Sequence, residues 1–310
     1  AQIAKDDEGS LHRSLQSIRC LCASLGLVEA INWALVSESE LSRCGWSVGE
    51  AVRLANPLSQ DAALVRPSLV IGLLRTIRRN LSQGAEGVKV FEVGHLLRAA
   101  AQPDERVALG IALTGAWNRD WRTRETCDFF RLKGLVEVLV QRLCHQHPTF
   151  RAASMAWAES GETATVLLDN RVVGIIGKLA RHVADAWDVE QDVWIAELDV
   201  ASLLQARRAL ETAATPSLFP PVKRDLSLLV KNTVAFDQVA STIREVGGPL
   251  AHQVGLIDRY IGKQLPAETH SLTFSIHYRD ASRTLTAEEV DRLHTQIGRA
   301  LIERFGAQLR

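Results

Sequence analysis

The amino-acid sequence predicts an α+β fold, with an antiparallel sheet and flanking helices followed by a smaller strand-helix-strand-strand-helix-strand segment. Strand-like runs outnumber helices before the last ninety or so residues, and hairpin-like turns such as Asp169-Asn170 join some of them, which favours antiparallel pairing. Two runs near the C-terminus alternate apolar and polar residues, as half-buried strands do. Thr286 with Glu289 three residues later forms a capping box, which begins a helix.

The first element is a helix with one apolar stripe at spacings of four and three, formed by Leu11, Leu15, Ile18, Cys22 and Leu25. Such a stripe suits either a core helix or a subunit interface, and periodicity alone favours the core. Gly26 ends the helix, and residues 28–36 read as a strand.

The elements that follow complete the sheet. A second helix begins after Val65-Arg66-Pro67-Ser68-Leu69, where proline suits the first turn, and stops near Gly84. Another helix is predicted over residues 132–143. Strands are predicted over residues 88–93, 107–114, 165–168, 172–176 and 193–198.

The C-terminal segment has the clearest strand pattern. Polar side chains from Ser271 to Arg279 point one way, and the apolar side chains between them point the other: Leu272, Phe274, Ile276 and Tyr278. Leu226, Leu228 and Val230 alternate in the same manner, and Gly306 suits a left-handed helix end. This order describes a ferredoxin-like βαββαβ sandwich, with two helices on one face of a four-stranded sheet. The bare face carries hydroxyls, a histidine and arginines, which suit contact with RNA.

Composition limits the class of protein. The 310 residues suffice for two domains, predicted at 1–205 and 219–310 with a linker at 206–218. Lys plus Arg and Asp plus Glu both number 36, so no overall cationic field points to or excludes a nucleic-acid partner. No apolar run is long enough to cross a membrane, the N-terminus lacks a signal-peptide core, and the five cysteines are scattered. These features predict a cytoplasmic, reduced protein.

Motifs in both halves resemble the β chain of bacterial phenylalanyl-tRNA synthetase. In the C-terminal segment these are Phe219-Pro220-Pro221-Val222-Lys223-Arg224-Asp225-Leu226-Ser227, Asp258-Arg259-Tyr260-Ile261-Gly262-Lys263, Ser271 to Arg279 and Arg283 to Val290. In the remainder they are Asn56-Pro57-Leu58-Ser59, Val65 to Leu69, Phe91-Glu92-Val93-Gly94, Asp128 to Gly134 and Val173 to Gly177. The sequence departs from the family at Glu159-Ser160-Gly161, at Arg181-His182-Val183, and at His270, which replaces a frequent lysine and makes the loop less cationic.

The resemblance implies a catalytically inert domain of class II synthetase type followed by a ferredoxin-fold anticodon-binding domain. Residues 1 to about 205 would dock the catalytic α chain of phenylalanine–tRNA ligase, in an α2β2 assembly, and the C-terminal domain would bind the anticodon of tRNA(Phe). ATP and Mg would be used by the holoenzyme, with no cofactor bound by this segment. The family's editing and magnesium-holding parts lie upstream of the matching region.

The resemblance also implies site residues. Anticodon contacts fall on Ser227, Asp258, Tyr260 and Ser271, and the residues expected to contact phosphates or hold the loop are Arg224, Arg279 and Arg283. For the apolar stripe of the first helix, the resemblance implies a subunit interface rather than a core. The residues of this predicted interface are Leu11, Leu15, Ile18 and Leu25.

Asp258 and Tyr260 fall on the strand side that also holds Val254 and Leu256, so a bulge or a strand end is needed to expose them. In the alternative interpretation, Asp258 caps a turn and Tyr260 belongs to the core.

No catalytic residue is predicted. Class II chemistry needs arginines for the triphosphate, yet Lys89-Val90-Phe91-Glu92 lacks one and no Gly-x-Gly-x-x-x-Glu-Arg segment occurs. No metal site is predicted either, because Cys20 and Cys22 point apart on one helix, Cys144-His145-Gln146-His147 lacks paired ligands, and Asp6-Asp7-Glu8 suits a solvated terminus. Trp117 and Trp121 could form a stacking site but more often anchor loops.

Two other functions remain open at this stage. A free-standing synthetase paralogue could act as a protein-interaction module without binding tRNA. A degenerate class II enzyme could activate a small acid, although the missing arginines argue against it.

Overall fold

The computed structural model describes residues 2–209, 218–262 and 264–310, with the side chains of residues 2–9 and 119 left out. The predicted linker lies largely outside the described residues. The chain divides into two compact units, Ala1–Glu211 and Thr212–Arg310. The predicted α+β fold, with antiparallel sheets and flanking helices, is confirmed.

The N-terminal unit combines six helices and eleven strands among its described residues. The helices are α1 (Gln2–Ser24), α2 (Glu38–Arg43), α3 (Val70–Ser82), α4 (Phe129–Cys144), α5 (Arg181–Ala186) and α6 (Val200–Gln205). The strands are β1 (Val28–Glu29), β2 (Leu35–Val36), β3 (Val52–Arg53), β4 (Leu64–Val65), β5 (Gly87–Arg98), β6 (Asp104–Arg119), β7 (Arg124–Thr126), β8 (Thr149–Ala152), β9 (Ala158–Leu168), β10 (Arg171–Leu179) and β11 (Val193–Asp199).

The main sheet of this unit has the order β1-β5-β6-β11-β10-β9-β8, with β7 paired to β6. All its pairs are antiparallel except β1 with β5. Because side chains alternate between the two faces of each strand, the sheet contributes buried side chains to two separate cores, one on each face. One packs against α3, and the other packs against α1 and α4.

The C-terminal unit contains β12 (Val222–Lys231), α7 (Phe236–Gly247), β13 (Ala251–Tyr260), β14 (Thr269–Tyr278), α8 (Ala287–Phe305) and β15 (Gln308–Leu309). Its antiparallel sheet has the order β13-β14-β12-β15. The apolar side chains of β14 form one core with those of α7 and α8, so both helices cover the same face. The Thr286 capping box and the left-handed Gly306, with φ 62°, delimit α8 as predicted.

No helix among the described residues is long and apolar enough to cross a membrane.

Candidate nucleic-acid interface

The face of the C-terminal sheet opposite the helices brings the four predicted anticodon contacts together. Residues directly opposite each other in neighbouring antiparallel strands point to the same side. Thr273 lies opposite Ser227 on one side and Asp258 on the other, while Ser271 lies opposite Tyr260. From the usual strand spacing and rise, these two cross-strand rows span about 10 by 7 Å, the size of one or two nucleobases.

A β-bulge at Ile257 places Asp258 and Tyr260 on this face. Leu256 lies opposite the buried Phe274, whereas Asp258, two residues later, lies opposite Thr273, the adjacent residue of β14. One residue is therefore extra in β13, and every side chain after it changes face. The sequence analysis required a bulge or a strand end for Asp258 and Tyr260 to be exposed, and the structure has the bulge.

The alternative interpretation of these two residues is wrong. Asp258 is exposed within β13 rather than at a turn, and Tyr260 is 43% exposed rather than part of the core. Both side chains can therefore meet a ligand from solvent.

Hydroxyl groups occupy the centre of the same face. The hydroxyls of Ser227 and Thr273 are 3.0 Å apart and hydrogen-bonded. Thr273 was expected on the polar face but not as a site residue, and its place opposite both Ser227 and Asp258 is the signal that identifies it. Ser271 is only 8% exposed and offers less surface than the other three predicted contacts.

The predicted phosphate-contacting arginines do not join these rows. Arg224 lies opposite the buried Ile276, on the helix side of the sheet, and its Nε is 3.0 Å from Asp291. It therefore does not belong to the arginines expected on the open face, because three residues along a strand, from Arg224 to Ser227, reverse the face. Arg279 follows β14 and donates to Nε2 of His252 at 2.6 Å.

Arg283 is held within its own loop. Its guanidinium donates to both carboxylate oxygens of Glu289, each at 2.8 Å, and this pairing together with the Thr286 cap lowers the pKa of Glu289 to about 2. Of its two expected roles, phosphate contact or loop support, the geometry matches loop support.

Charged side chains of both signs lie on the open face. On β12 and β13, Lys223 and Lys231 lie near its two ends, opposite His277 and Thr269, while Asp225 and Asp258 lie between them. The same alternation puts Arg279 on this side just after β14, and Arg310, whose backbone N–H donates to Ser227, just after β15. Arg259 lies opposite the core residue Leu272, so it belongs to the helix side. Lys263 lies outside the described residues.

His270 lies in a strand rather than in the loop where the sequence analysis placed it. It lies within β14 opposite Val230, is 3% exposed, and is hydrogen-bonded through Nδ1 to Asn232 at 3.0 Å. Burial lowers its pKa, so its ring is neutral at pH 7.

The predicted subunit interface on α1 is wrong for Ile18. This side chain is fully buried in the core that α1 shares with α4, and Leu15 and Leu25 pack partly against the same core. Leu11 is 41% exposed. The stripe therefore faces mainly inward, as its periodicity alone favours.

A different apolar surface follows α1 along the chain. Val28 in the edge strand β1 is 67% exposed, and beyond it Ile31 is 90% and Trp33 is 77% exposed. Sequence reasoning placed Trp33 in a strand but did not predict this surface. Large exposed apolar side chains that cluster in this way mark contact sites on soluble proteins.

Polar groups on the α3 side of the main sheet pair with one another. Arg66 and Glu92 form a buried ion pair at 2.6 Å, and Glu92 also accepts a hydrogen bond from the side-chain amide of Asn32 at 2.7 Å. Glu197 accepts from the hydroxyl of Ser68 at 2.6 Å, and burial raises the pKa of its carboxyl group despite that bond. The Arg66 guanidinium is thus paired with the carboxylate of Glu92 and is not available to bind a phosphate.

The other sequence candidates also have defined places. Trp117 lies within β6, half-buried, with Lys89 Nζ and Arg131 Cζ at 5.0 and 5.4 Å from its ring centre, whereas Trp121 is 86% exposed beside Arg122. No group of three metal-ligating side chains converges within the described part of the chain. The side chains of Asp6-Asp7-Glu8 lie outside the described residues.

Comparison with known proteins gives consistent matches for both units. Residues 1–200 match the family described as the phenylalanyl tRNA synthetase beta chain CLM domain, and residues 217–310 match the ferredoxin-fold anticodon binding domain. The chain is 32% identical over 300 residues to the phenylalanine–tRNA ligase beta subunit of Geobacillus kaustophilus, covering 94% of this chain and 37% of that protein. The same-named proteins of Xanthomonas oryzae pv. oryzae and Bacillus subtilis are 35% and 31% identical, over 93% and 95% of this chain and 36% and 37% of theirs. The chain thus spans little more than a third of these relatives.

Proposed function

The chain belongs to the phenylalanyl-tRNA synthetase β-chain family, and from this premise we propose that it is the part of a phenylalanine–tRNA ligase that docks the catalytic α chain and binds the anticodon of tRNA(Phe). The observation that carries the anticodon proposal is the bulge at Ile257, which puts Asp258 and Tyr260 beside the Ser227–Thr273 hydroxyl pair. We assign docking to residues 1–205 and anticodon binding to residues 219–310.

Each side chain of the open face suits one feature of an unstacked base. The exposed Tyr260 ring can stack on a base face, which contributes about 1–3 kcal/mol. The Asp258 carboxylate can accept two hydrogen bonds at once, from the N1–H and N2–H groups of guanine, the first anticodon base of tRNA(Phe). The small Ser227 and Thr273 allow close approach to the sheet and supply hydroxyls.

The distribution of charge on this face indicates how binding is driven. Two carboxylates lie at its centre, and the basic side chains, Lys223, Lys231, Arg279 and Arg310, lie toward its edges, so phosphates can be neutralised only there. Stacking and hydrogen bonding should then supply most of the affinity at the centre of the site, and the edges should supply its salt dependence.

Replacing Tyr260 with alanine tests the anticodon proposal. We expect the dissociation constant for tRNA(Phe), in the complex of this chain with the α chain, to rise about 10-fold because the stacking surface is lost. Equilibrium binding of labelled tRNA measures the change, and Leu256→Ala, on the helix side of the same strand, is the matched control. Wild-type affinity in the Tyr260 variant would refute the proposed site.

The chemistry would reside in the assembled enzyme. Activation of phenylalanine with ATP and Mg is assigned to the α chain, because the arginines of a class II triphosphate site are not found in this sequence. An α2β2 assembly in the cytoplasm is part of the same proposal.

The docking proposal rests on the exposed apolar surface around β1. Large aromatic side chains often dominate binding at protein interfaces, and Trp33 is the largest of this set. It is therefore the residue whose loss should weaken α-chain binding most.

Trp33→Asp should weaken capture of the α chain by at least about 2 kcal/mol, roughly 30-fold in the dissociation constant. Co-purification and titration with purified α chain measure the loss. Trp121→Asp is the matched control, because that tryptophan, in the turn between β6 and β7, is also highly exposed, at 86% against 77% for Trp33. If both variants bind α as the wild type does, this surface is not the docking site. If the wild type itself does not bind α, the result favours a free-standing paralogue.

A further inference from the structure

We infer that Gly262 is a positioning residue for Tyr260: the absence of a side chain at this position leaves the space in which the tyrosine ring lies, and so allows the ring the orientation that it has at the anticodon site. This inference deepens the proposed function and rests on it.

The geometry around Gly262 leaves no room for a methyl group. A Cβ atom built on Gly262 would lie 2.9 Å from Cε1 and 2.5 Å from Cζ of Tyr260, and closer still to the hydroxyl oxygen. Carbon atoms in favourable contact are about 3.5–4.0 Å apart, so the ring or the strand would have to move. The Tyr260 ring therefore lies directly over the Gly262 backbone.

Backbone conformation does not explain the glycine. Seven described glycines have positive φ, where other residues are strained, and Gly262 is not one of them. A residue with a side chain could adopt this backbone. The constraint comes from the ring of the residue two positions earlier, which would share its face of an extended chain.

A second glycine, within β13 itself, has no such neighbour. Gly255 also lacks a positive φ, and a Cβ atom built there would meet nothing within 4 Å. Gly255→Ala therefore adds the same methyl group to the chain as Gly262→Ala does, but without contacting the Tyr260 ring.

The orientation that Gly262 allows leaves the ring accessible to a base. Tyr260 keeps 43% of its surface exposed while its hydroxyl end lies against Gly262. Alanine at position 262 would turn the ring away from this orientation, so part of the stacking contact with the base would be lost.

A double-mutant cycle tests this role in the complex with the α chain. We expect Gly262→Ala to weaken tRNA(Phe) binding about 10-fold, as Tyr260→Ala does, and the double variant to be no weaker than either single variant. Gly255→Ala should bind as the wild type does. The unfolding temperature gives a second readout: Gly262→Ala should leave it nearly unchanged, because only the end of an exposed side chain has to move, so a loss of binding would not reflect unfolding.

Two results would overturn the inference. One is wild-type binding by Gly262→Ala while Tyr260→Ala is weakened. The other is a double variant whose loss equals the product of the two single losses, because Gly262 would then act independently of the ring. Wild-type binding by Tyr260→Ala would instead refute the proposed anticodon site itself, and the inference with it.

Discussion

Glu92→Ala should destabilise the N-terminal unit by about 3–5 kcal/mol, because it leaves the Arg66 guanidinium buried without its carboxylate. The two side chains are 4% and 3% exposed, and their ion pair is 2.6 Å long. The substitution also removes the acceptor of the Asn32 side-chain amide and backbone N–H. Urea-induced unfolding, followed by circular dichroism, measures the free energy of unfolding.

Glu105→Ala is the matched control for this prediction. Glu105 lies in the neighbouring strand β6 and pairs with His95 at 3.0 Å, but both side chains are 68% exposed. An exposed pair contributes between about 0 and 1 kcal/mol, so the control should change stability little. Equal losses of unfolding free energy in Glu92→Ala and Glu105→Ala would show that the Arg66–Glu92 pair is not a buried ion pair. Replacing Arg66 and Glu92 together by methionine and leucine should recover much of the loss, because no unpaired charge remains.

Local patterns in the sequence predicted much of the C-terminal unit. The alternation of β14, the Thr286 capping box and Gly306 depend only on neighbours along the chain, and the structure has all three. The side of Arg224 follows from the same alternation, since it is three residues from Ser227. The same alternation therefore puts it on the helix side, away from the predicted anticodon contacts.

Features that depend on long-range pairing could not be predicted. In β13 the sequence shows only that Asp258 and Tyr260 need a bulge or a strand end to be exposed, and the register against β14 is what places a bulge at Ile257. The bond between Ser68 and Glu197 joins residues 129 positions apart. The apolar stripe of α1 looks the same in sequence whether it packs on its own sheet or on a partner, so the burial of Ile18 needed the structure.

Asp258→Ala should remove most of the preference for guanine at the first anticodon base. A carboxylate that accepts two hydrogen bonds from guanine has no such donors to meet on adenine, and hydrogen bonds to a charged group contribute about 1.5–3 kcal/mol. The discrimination between the two bases should therefore fall by roughly 10- to 100-fold. Asp225→Ala is the matched control, because this exposed carboxylate lies on the same face, opposite Ser275 rather than Thr273.

The most direct test is the ratio of dissociation constants for tRNA(Phe) with adenine or guanine as the first anticodon base, measured on the α-chain complex of the wild type, Asp258→Ala and Asp225→Ala. An anticodon site built by the Ile257 bulge predicts a high ratio for the wild type and Asp225→Ala, and a ratio near one for Asp258→Ala. A ratio in Asp258→Ala as high as that of the wild type would contradict recognition of the anticodon by this face.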